Sequence, residues 1–226
     1  MAFPNLVIGQ FNELAVKAGE LVCADPGVRY PLMIIYGELG TGKTALLNSI
    51  EEGINNKQTV KSLTSSSLMD DLIHAIKRHV VQEFSRELLN FDVLSIDDIQ
   101  DLTNKTATQD FLFHIIRRRL KEKKQTILTS RIPIKKVKGI DPRLSNIILE
   151  SLSVEILKPN FEERLMFIKH FSKLHNISFY EDVITLLAER CKDNLREIAG
   201  AIIKLKALNE ILKIEINLET AEEYIK

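Results

Sequence analysis

The chain has few of the residues that build disulfide frameworks or metal sites. Its 226 residues include two cysteines, Cys23 and Cys191, which lie far apart with no C-x-x-C or Cys/His grouping beside either. This spacing argues against a cysteine zinc site and against a disulfide-rich secreted fold. Both cysteines are expected to be small buried apolar residues in a reducing compartment. The five histidines also lack the spacing of a metal site.

Neither sign of charge is in excess, and no apolar run is long. Lys and Arg total 31, as do Asp and Glu, so the formal net charge is zero. A domain whose main task is to grip duplex DNA is usually basic, so duplex binding is not expected. The sequence shows no signal peptide and no apolar run of about 18 residues, which predicts a soluble, cytoplasmic protein without membrane contact.

Short β-rich runs alternate with longer helical patterns over the first two thirds of the chain. This alternation predicts an α/β fold in which a parallel five-stranded sheet lies between helical layers, a three-layer αβα arrangement. The predicted strands are 32–36, 60–64, 91–96, 125–130 and 152–157, and the predicted helices are 12–23, 43–53, 67–88 and 108–123.

The pattern changes after Pro159. Only helical periodicity follows, in segments 162–174, 181–191, 195–208 and 218–225. Asn194 and Asn217 are predicted N-caps of the last two helices. The sequence therefore predicts two domains, an α/β core at 1–159 and an all-helical C-terminal lid at 160–226.

A glycine-rich loop stands between the first predicted strand and the helix that follows it. The segment 37–44 reads G-x-x-x-x-G-K-T. Its glycines allow successive backbone N–H groups to turn toward a phosphate, and the helix N-terminus adds its positive dipole end. The lysine would reach the outer phosphates, and the threonine hydroxyl would hold Mg²⁺. The expected phosphate-binding residues are Gly37, Gly40, Thr41, Gly42, Lys43 and Thr44.

Two adjacent carboxylates end the third predicted strand. Neighbouring side chains of a strand point to opposite faces, so Asp97 and Asp98 are expected to do different work. Asp97 would bind Mg²⁺ through water, and Asp98 would polarise the water that attacks the γ-phosphate. The next strand ends in Thr129 and Ser130, either of which could contact that phosphate or water. On spacing alone, Arg143 and Arg196 are surface arginines in weak salt bridges.

These motifs resemble the AAA+ ATPase domain of the DnaA/Hda family, in which DnaA is the bacterial replication initiator and Hda its regulatory relative. The similarity runs almost end to end, through segments 5–15, 95–100, 108–114, 127–130 and 194–201. Segment 95–100, SIDDIQ, is similar to the family's L-I-D-D-I-Q. The resemblance implies that Val7, Ile8 and Asn12 lie against the adenine. It also implies that Arg196 is the sensor-2 contact to nucleotide.

The chain also departs from the family pattern. In the stretch R-L-x-S-R-F-x-W-G, which supplies an arginine finger in trans, Arg143 matches the first arginine, but Ile147 replaces the second and Glu150 replaces the Trp. Arg143 is therefore the one finger candidate. The sensor-1 segment reads Ser130-Arg131 where DnaA has Ser-Asp.

The resemblance implies a role in replication initiation with bound ATP or ADP and Mg²⁺. No segment for a helix-turn-helix domain follows the lid, which favours an Hda-like regulator that associates with DnaA and promotes its ATP hydrolysis through Arg143. The sliding clamp is a further expected partner, although no clamp-binding peptide is seen before Phe3, and homo-oligomers are left open.

Two alternatives remain at this point. One is a nucleotide-switched adaptor with weak or no ATPase activity. The other is a helicase loader or truncated initiator that binds single-stranded DNA through basic clusters at 117–119 and 135–138.

Overall fold

The computed structural model describes residues 3–54, 58–192 and 194–225. The chain divides into two compact units. The first comprises Met1–Leu6, Leu14–Glu38 and Lys43–Ile156, and the second comprises Val7–Glu13, Leu39–Gly42 and Leu157–Lys226. We call them the α/β unit and the helical unit. The predicted domain boundary after residue 159 stays a prediction.

Five parallel strands form the sheet of the α/β unit. They are β1 (Leu32–Tyr36), β2 (Val60–Thr64), β3 (Val93–Asp97), β4 (Gln125–Ser130) and β5 (Leu152–Glu155). Their order is β2-β3-β4-β1-β5, and all neighbouring pairs are parallel. Strand β4 thus lies between β1 and β3, so the carboxyl ends of these three strands share one edge. The predicted sheet is confirmed.

Six helices precede or connect the five strands along the sequence. They are α1 (Glu13–Ala24), α2 (Lys43–Gly53), α3 (Ser65–Lys77), α4 (Val81–Asn90), α5 (Thr106–Lys121) and α6 (Pro142–Leu149), with 3₁₀ turns at Ile99–Leu102 and Ile134–Lys136. Because crossover helices cover both faces of a parallel sheet, its central strands β1, β3 and β4 are buried along nearly their whole length. In β1, for example, the first four residues are all buried.

The two faces of the sheet have separate apolar layers. On one face, Ile34, Leu94 and Leu128 pack with Leu112 and Ile148 from α5 and α6. On the other face lies α2, whose Glu51 accepts a hydrogen bond from the buried Ser95 of β3. Helix α1 packs against α2, since a Cβ at Gly19 would stand 2.8 Å from the Ile50 side chain. This gives the predicted three-layer αβα arrangement.

The prediction of one helix over 67–88 is wrong. Two helices occupy this stretch, because α3 ends at its C-cap Arg78 and His79 takes a left-handed conformation with φ of 58°. Helix α6 was not predicted, although Asp141 caps it by accepting from the N–H of Arg143, and Pro142 occupies the first turn. The other predicted elements are present, with ends that differ by up to four residues.

The helical unit contains α7 (Phe161–Leu174), α8 (Glu181–Arg190), α9 (Leu195–Leu212) and α10 (Leu218–Tyr224). The predicted caps are confirmed: the Asn194 side chain accepts from the N–H of Glu197, and the Asn217 side chain accepts from the N–H of Thr220. Among the helices of the described residues, none is long and apolar enough to cross a membrane.

Candidate functional site

The loop of residues 37–44 begins at the carboxyl edge of the sheet. The N–H of Gly37 donates to the Ser130 carbonyl at 3.1 Å, which extends the pairing of β1 with β4 by one residue. Gly40 and Gly42 have φ of 74° and 103°, a region that favours glycine, and α2 begins directly afterwards at Lys43. A strand, a loop with positive-φ glycines and a helix N-terminus together form a backbone suited to an anion.

Lys43 is held along this loop. Its side chain is nearly buried, and its ammonium donates to the carbonyls of Gly37 and Glu38, both at 2.7 Å. These two hydrogen bonds hold the ammonium beside the first two residues of the loop, although Lys43 itself lies near the end of the loop. A cation in this position complements the charge of phosphate oxygens.

Three oxygen-bearing side chains meet beside the loop. The Thr44 hydroxyl donates to one carboxylate oxygen of Asp97 at 2.8 Å, and the Thr129 hydroxyl donates to the other. Hydroxyl and carboxylate oxygens suit Mg²⁺, which is usually held by one or two protein groups together with phosphate oxygens and water. Within the described part of the chain, no three or more His, Cys, Asp or Glu residues are grouped as a metal cage. The residues present therefore fit a magnesium ion shared with a phosphate.

Asp98 follows Asp97 but has different surroundings. It takes the left-handed conformation, with φ of 60° and ψ of 51°, and its N–H donates to the Thr129 hydroxyl at 2.9 Å. One oxygen of its carboxylate accepts from Gln100 Nε2 at 2.9 Å, and the other accepts from the Arg131 guanidinium at 3.2 Å. Burial alone would raise the pKa of Asp98, but these hydrogen bonds and the charge of Arg131 bring the pKa below its ordinary value.

Ser130 lies at the end of β4 with its side chain turned into the following turn. It is fully buried, and its hydroxyl donates to the Ile132 carbonyl at 2.7 Å. Its neighbour Thr129 is the hydroxyl that contacts Asp97. Of the two hydroxyls predicted at this strand end, the structure thus brings Thr129 into the cluster with Thr44.

Arg143 lies in the first turn of α6, and its side chain is 54% exposed. Its guanidinium donates to Asp141 at 2.8 Å and to Asp110 of α5 at 2.9 Å, and it stands over the Phe113 ring at 5.1 Å. The hydrogen bond to Asp141, followed by the one to Asp110, raises the pKa of Arg143 further above its usual range. The guanidinium is therefore a fixed, exposed cation.

The segment Val7–Glu13, which holds the predicted adenine contacts, is folded by Asn12. The Asn12 side chain is buried, accepts from the N–H of Gly9 at 3.0 Å and donates to the Val7 carbonyl at 2.9 Å. Within the helical unit, Glu163 of α7 accepts from the N–H of Phe11 at 3.1 Å. The partly buried Ile8 lies in this folded loop. Adenine contact by Val7, Ile8 and Asn12 stays a prediction.

The helical unit also includes the middle of the glycine-rich loop, where Thr41 is buried. The Gly40 carbonyl accepts from the N–H of Leu195 at 3.0 Å, and a Cβ at Gly40 would meet the Asn194 side chain at 2.6 Å. The N-terminus of α9 is therefore packed on Gly40. Arg196, the predicted sensor-2 residue, is exposed in the first turn of this helix.

Sequence reasoning missed three parts of this arrangement. The Gln100 and Arg131 side chains both bind Asp98. The sequence showed Arg131 as a departure from the family pattern but did not indicate its partner. The contact of Gly40 with Asn194 joins segments that are far apart in sequence. No sequence signal indicated any of these three contacts.

The comparison with known protein families decides the affiliation. A family model described as the bacterial DnaA ATPase domain matches residues 1–155. The chain belongs to this family. The chromosomal replication initiator protein DnaA of Borreliella afzelii (strain PKo) is 33% identical over an alignment of 227 positions, which covers 99% of this chain and 47% of the relative. The chain thus spans about half the length of the curated relatives that it matches.

Solved structures of DnaA proteins agree with this family. A crystal structure of domain III from the Thermotoga maritima replication initiation protein DnaA is 32% identical, with a TM-score of 0.94 and coverage of 99% of this chain and 96% of that one. A replication initiator DnaA bound to AMPPCP and single-stranded DNA is 30% identical, with a TM-score of 0.87 and coverage of 98% and 67%. The resemblance and the AAA+ α/β fold are confirmed.

Proposed function

We propose that the chain binds ATP or ADP with Mg²⁺ and acts as a nucleotide-dependent component of bacterial replication initiation. The observation that carries this proposal is the contact of Thr44 with Asp97 at 2.8 Å, directly after the glycine-rich loop. A hydroxyl and a carboxylate that meet beside this loop support a Mg²⁺ ion shared between these side chains and a bound phosphate. The relative whose structure contains AMPPCP supports an adenine nucleotide.

Each candidate residue has a role in this proposal. The glycine-rich loop and Lys43 bind the phosphates, while Thr44 and Asp97 hold Mg²⁺, which would neutralise phosphate charge when bound. Asp98 orients the attacking water. The Ser130 hydroxyl stabilises the turn that follows β4. The adenine contacts of Val7, Ile8 and Asn12 and the phosphate contact of Arg196 extend the site and rest on the family resemblance.

Nucleotide binding is tested with a fluorescent ADP analogue, with and without Mg²⁺. The Thr44→Val variant should lose most of the affinity gained on adding Mg²⁺, because valine keeps the shape but has no oxygen ligand. Thr185→Val is a matched control, since the Thr185 hydroxyl donates within α8 to the Glu181 carbonyl at 2.8 Å. Equal Mg²⁺ dependence in wild type and Thr44→Val would contradict the assignment.

The proposed partner is DnaA in its ATP-bound form. Arg143 is exposed and held in one orientation by Asp141, Asp110 and the Phe113 ring, which suits a cation that is presented to a neighbouring subunit. There it would neutralise charge that develops on the transferred phosphate, as arginine fingers do. The role is Hda-like: this chain would promote hydrolysis of the ATP bound to DnaA.

The assay follows ATP hydrolysis by the organism's own DnaA after addition of this chain. Stimulation should be lost in Arg143→Ala and kept in Arg118→Ala, a control that removes another exposed arginine, paired with Glu122 at 3.3 Å. Wild-type chain that neither binds DnaA nor changes its hydrolysis would refute the role. A pull-down with ADP or ATP also tests the sliding clamp and self-association as further contacts.

One specific observation favours a second candidate, a nucleotide-switched adaptor with little hydrolysis of its own. The carboxylate assigned to the attacking water is already bonded to Gln100 and Arg131. In an adaptor, the identity of the bound nucleotide would regulate a partner-binding surface. Rapid multiple-turnover hydrolysis by the isolated chain would count against this candidate.

Single-stranded DNA is a third proposed ligand, supported by the relative that was solved with it. Exposed basic residues on α5 and near the second 3₁₀ turn could meet phosphates; they are Arg117, Arg118, Lys135 and Lys136. Binding that weakens steeply with added salt would support this option, and undetectable binding at low salt would remove it.

A further inference from the structure

Arg131 stands directly after β4, next to both Asp98 and Gln100. Its guanidinium donates to Asp98 at 3.2 Å and lies 3.6 Å from a carboxylate oxygen of Asp101. Its backbone N–H donates to Gln100 Oε1 at 3.0 Å, and Gln100 Nε2 donates to the other oxygen of Asp98 at 2.9 Å. Asp98, Gln100 and Arg131 therefore form a closed ring of hydrogen bonds.

This ring fixes the direction in which the Asp98 carboxylate points. Each of its oxygens already accepts a side-chain donor, and one of these donors is charged, which makes that bond stronger than a neutral one. A carboxylate that orients an attacking water must present an oxygen to that water at hydrogen-bond distance. In the observed arrangement, both oxygens face the chain's own side chains.

We propose that Arg131 is a positioning residue that restrains ATP hydrolysis by holding Asp98 in the ring with Gln100. The inference rests on the proposed function, in which this chain binds ATP and Asp98 orients the attacking water. It goes beyond that function because it attributes slow ATP hydrolysis to the Arg131 side chain rather than to the lack of a catalytic group. Bound nucleotide would then persist in its triphosphate form for longer, as a switch requires.

An opposite effect of the same arginine is chemically reasonable. A cation beside the end of β4 could stabilise negative charge on the transferred phosphate and so accelerate hydrolysis. The two effects differ in sign. In the restraining role, removal of the charge speeds hydrolysis, whereas in the accelerating role its removal slows hydrolysis.

The experiment measures two quantities in the purified full chain: the Kd for a fluorescent ADP analogue, and single-turnover hydrolysis of ATP with Mg²⁺. Arg131→Gln keeps much of the side-chain length but removes the charge. It should raise the hydrolysis rate about tenfold, which corresponds to about 1.4 kcal/mol in the barrier, with Kd unchanged within about twofold. Arg131→Lys keeps a charged donor and should stay near the wild-type rate.

Two controls separate this effect from a general change in the protein. Arg86→Gln makes the same substitution at an exposed arginine of α4 and should leave both quantities unchanged. The double variant Arg131→Gln with Asp98→Asn should lose the gain, because the group released by the first change is then absent. A gain that persists in the double variant would show that Asp98 is not the restrained group and would overturn the inference.

The remaining outcomes distinguish the inference from the proposed function. An unchanged or slower rate in Arg131→Gln, with normal nucleotide binding, overturns the restraint and leaves the proposed function standing. Nucleotide binding without hydrolysis in every variant has the same meaning. Failure of the wild-type chain to bind nucleotide overturns both.

Discussion

Replacement of Arg119 by methionine should destabilise the α/β unit by about 4 kcal/mol. Arg119 lies on α5 and is fully buried. Each of its five N–H donors has an acceptor, four of which are backbone carbonyls. The acceptors are Thr126 Oγ1 at 3.1 Å and the carbonyls of Leu88 and Phe91 at 2.8 Å, Asp92 at 3.1 Å and Gln125 at 2.7 Å.

The magnitude follows from two opposing effects. Burial lowers the pKa of Arg119 to about 10, so the side chain remains charged at neutral pH and its desolvation costs roughly 4 kcal/mol, which methionine removes. Methionine also leaves five acceptors without this donor. The Asp92 carbonyl keeps the Gln125 N–H at 3.0 Å, and the Gln125 carbonyl keeps its place in the β3–β4 ladder; the other three acceptors cost roughly 2.5 kcal/mol each, about 8 in total. The net loss in the free energy of unfolding is therefore about 4 kcal/mol.

Thermal unfolding followed by circular dichroism checks this value. A loss of about 4 kcal/mol should lower the Tm of the α/β unit by about 12 °C, and Arg119→Lys, with three donors, should lie between Arg119→Met and the wild type. The control is Arg118→Met on the same helix, where the exposed side chain pairs with Glu122 and the loss should stay within about 0.5 kcal/mol. The free energies of unfolding of Arg119→Met and Arg118→Met could instead differ by less than about 1 kcal/mol. The relief of desolvation would then equal the cost of the lost hydrogen bonds, and the reasoning would fail.

Two further predictions concern the loop and a thiol. Gly40→Ala should weaken binding of a fluorescent ADP analogue at least tenfold and more than Gly42→Ala does, because both glycines have positive φ but only a Cβ at Gly40 would meet Asn194, at 2.6 Å. Burial and then the nearby Glu20 raise the pKa of Cys23 from 9.0 to about 11, so its alkylation at pH 8 should be about 100-fold slower than that of an ordinary thiol. The rate should rise about tenfold per pH unit below that pKa and should recover in urea; equal rates in folded and unfolded chain would contradict the prediction.

The strands were predictable because each one is a short run rich in β-branched and apolar residues that interrupts the helical pattern. The break between α3 and α4 was not, since residues 78–80 contain neither glycine nor proline and the helical pattern continues through them. His79 takes a left-handed conformation there, which a histidine seldom adopts. Helix α6 did have a sequence signal, an aspartate N-cap followed by a proline at the first helical position.

The site was predictable only as far as local motifs reach. The alternation rule correctly separated the partners of Asp97 from those of Asp98, but it assumes an extended strand. Asp98 instead leaves the strand in a left-handed conformation, and its carboxylate meets Arg131, 33 residues further along the chain. The contact between Asp98 and Arg131 forms because β4 lies beside β3 in the sheet. It could therefore be predicted only from the order of the strands, not from the sequence of either strand.

The chain departs from the family pattern at Arg131 and in the arginine stretch around Arg143. The segments beside these two arginines are bridged by one buried side chain. Between them, Gln109 of α5 is buried and donates to the Leu102 carbonyl, at the end of the 3₁₀ turn that begins after Asp98, and to the Gly139 carbonyl. It also accepts from the N–H of Asp141, which caps the helix of Arg143. A rigid support of this kind keeps each cation with its own aspartates. Under the two proposals above, one buried side chain thus supports both the cation that holds Asp98 and the cation presented to a neighbouring subunit.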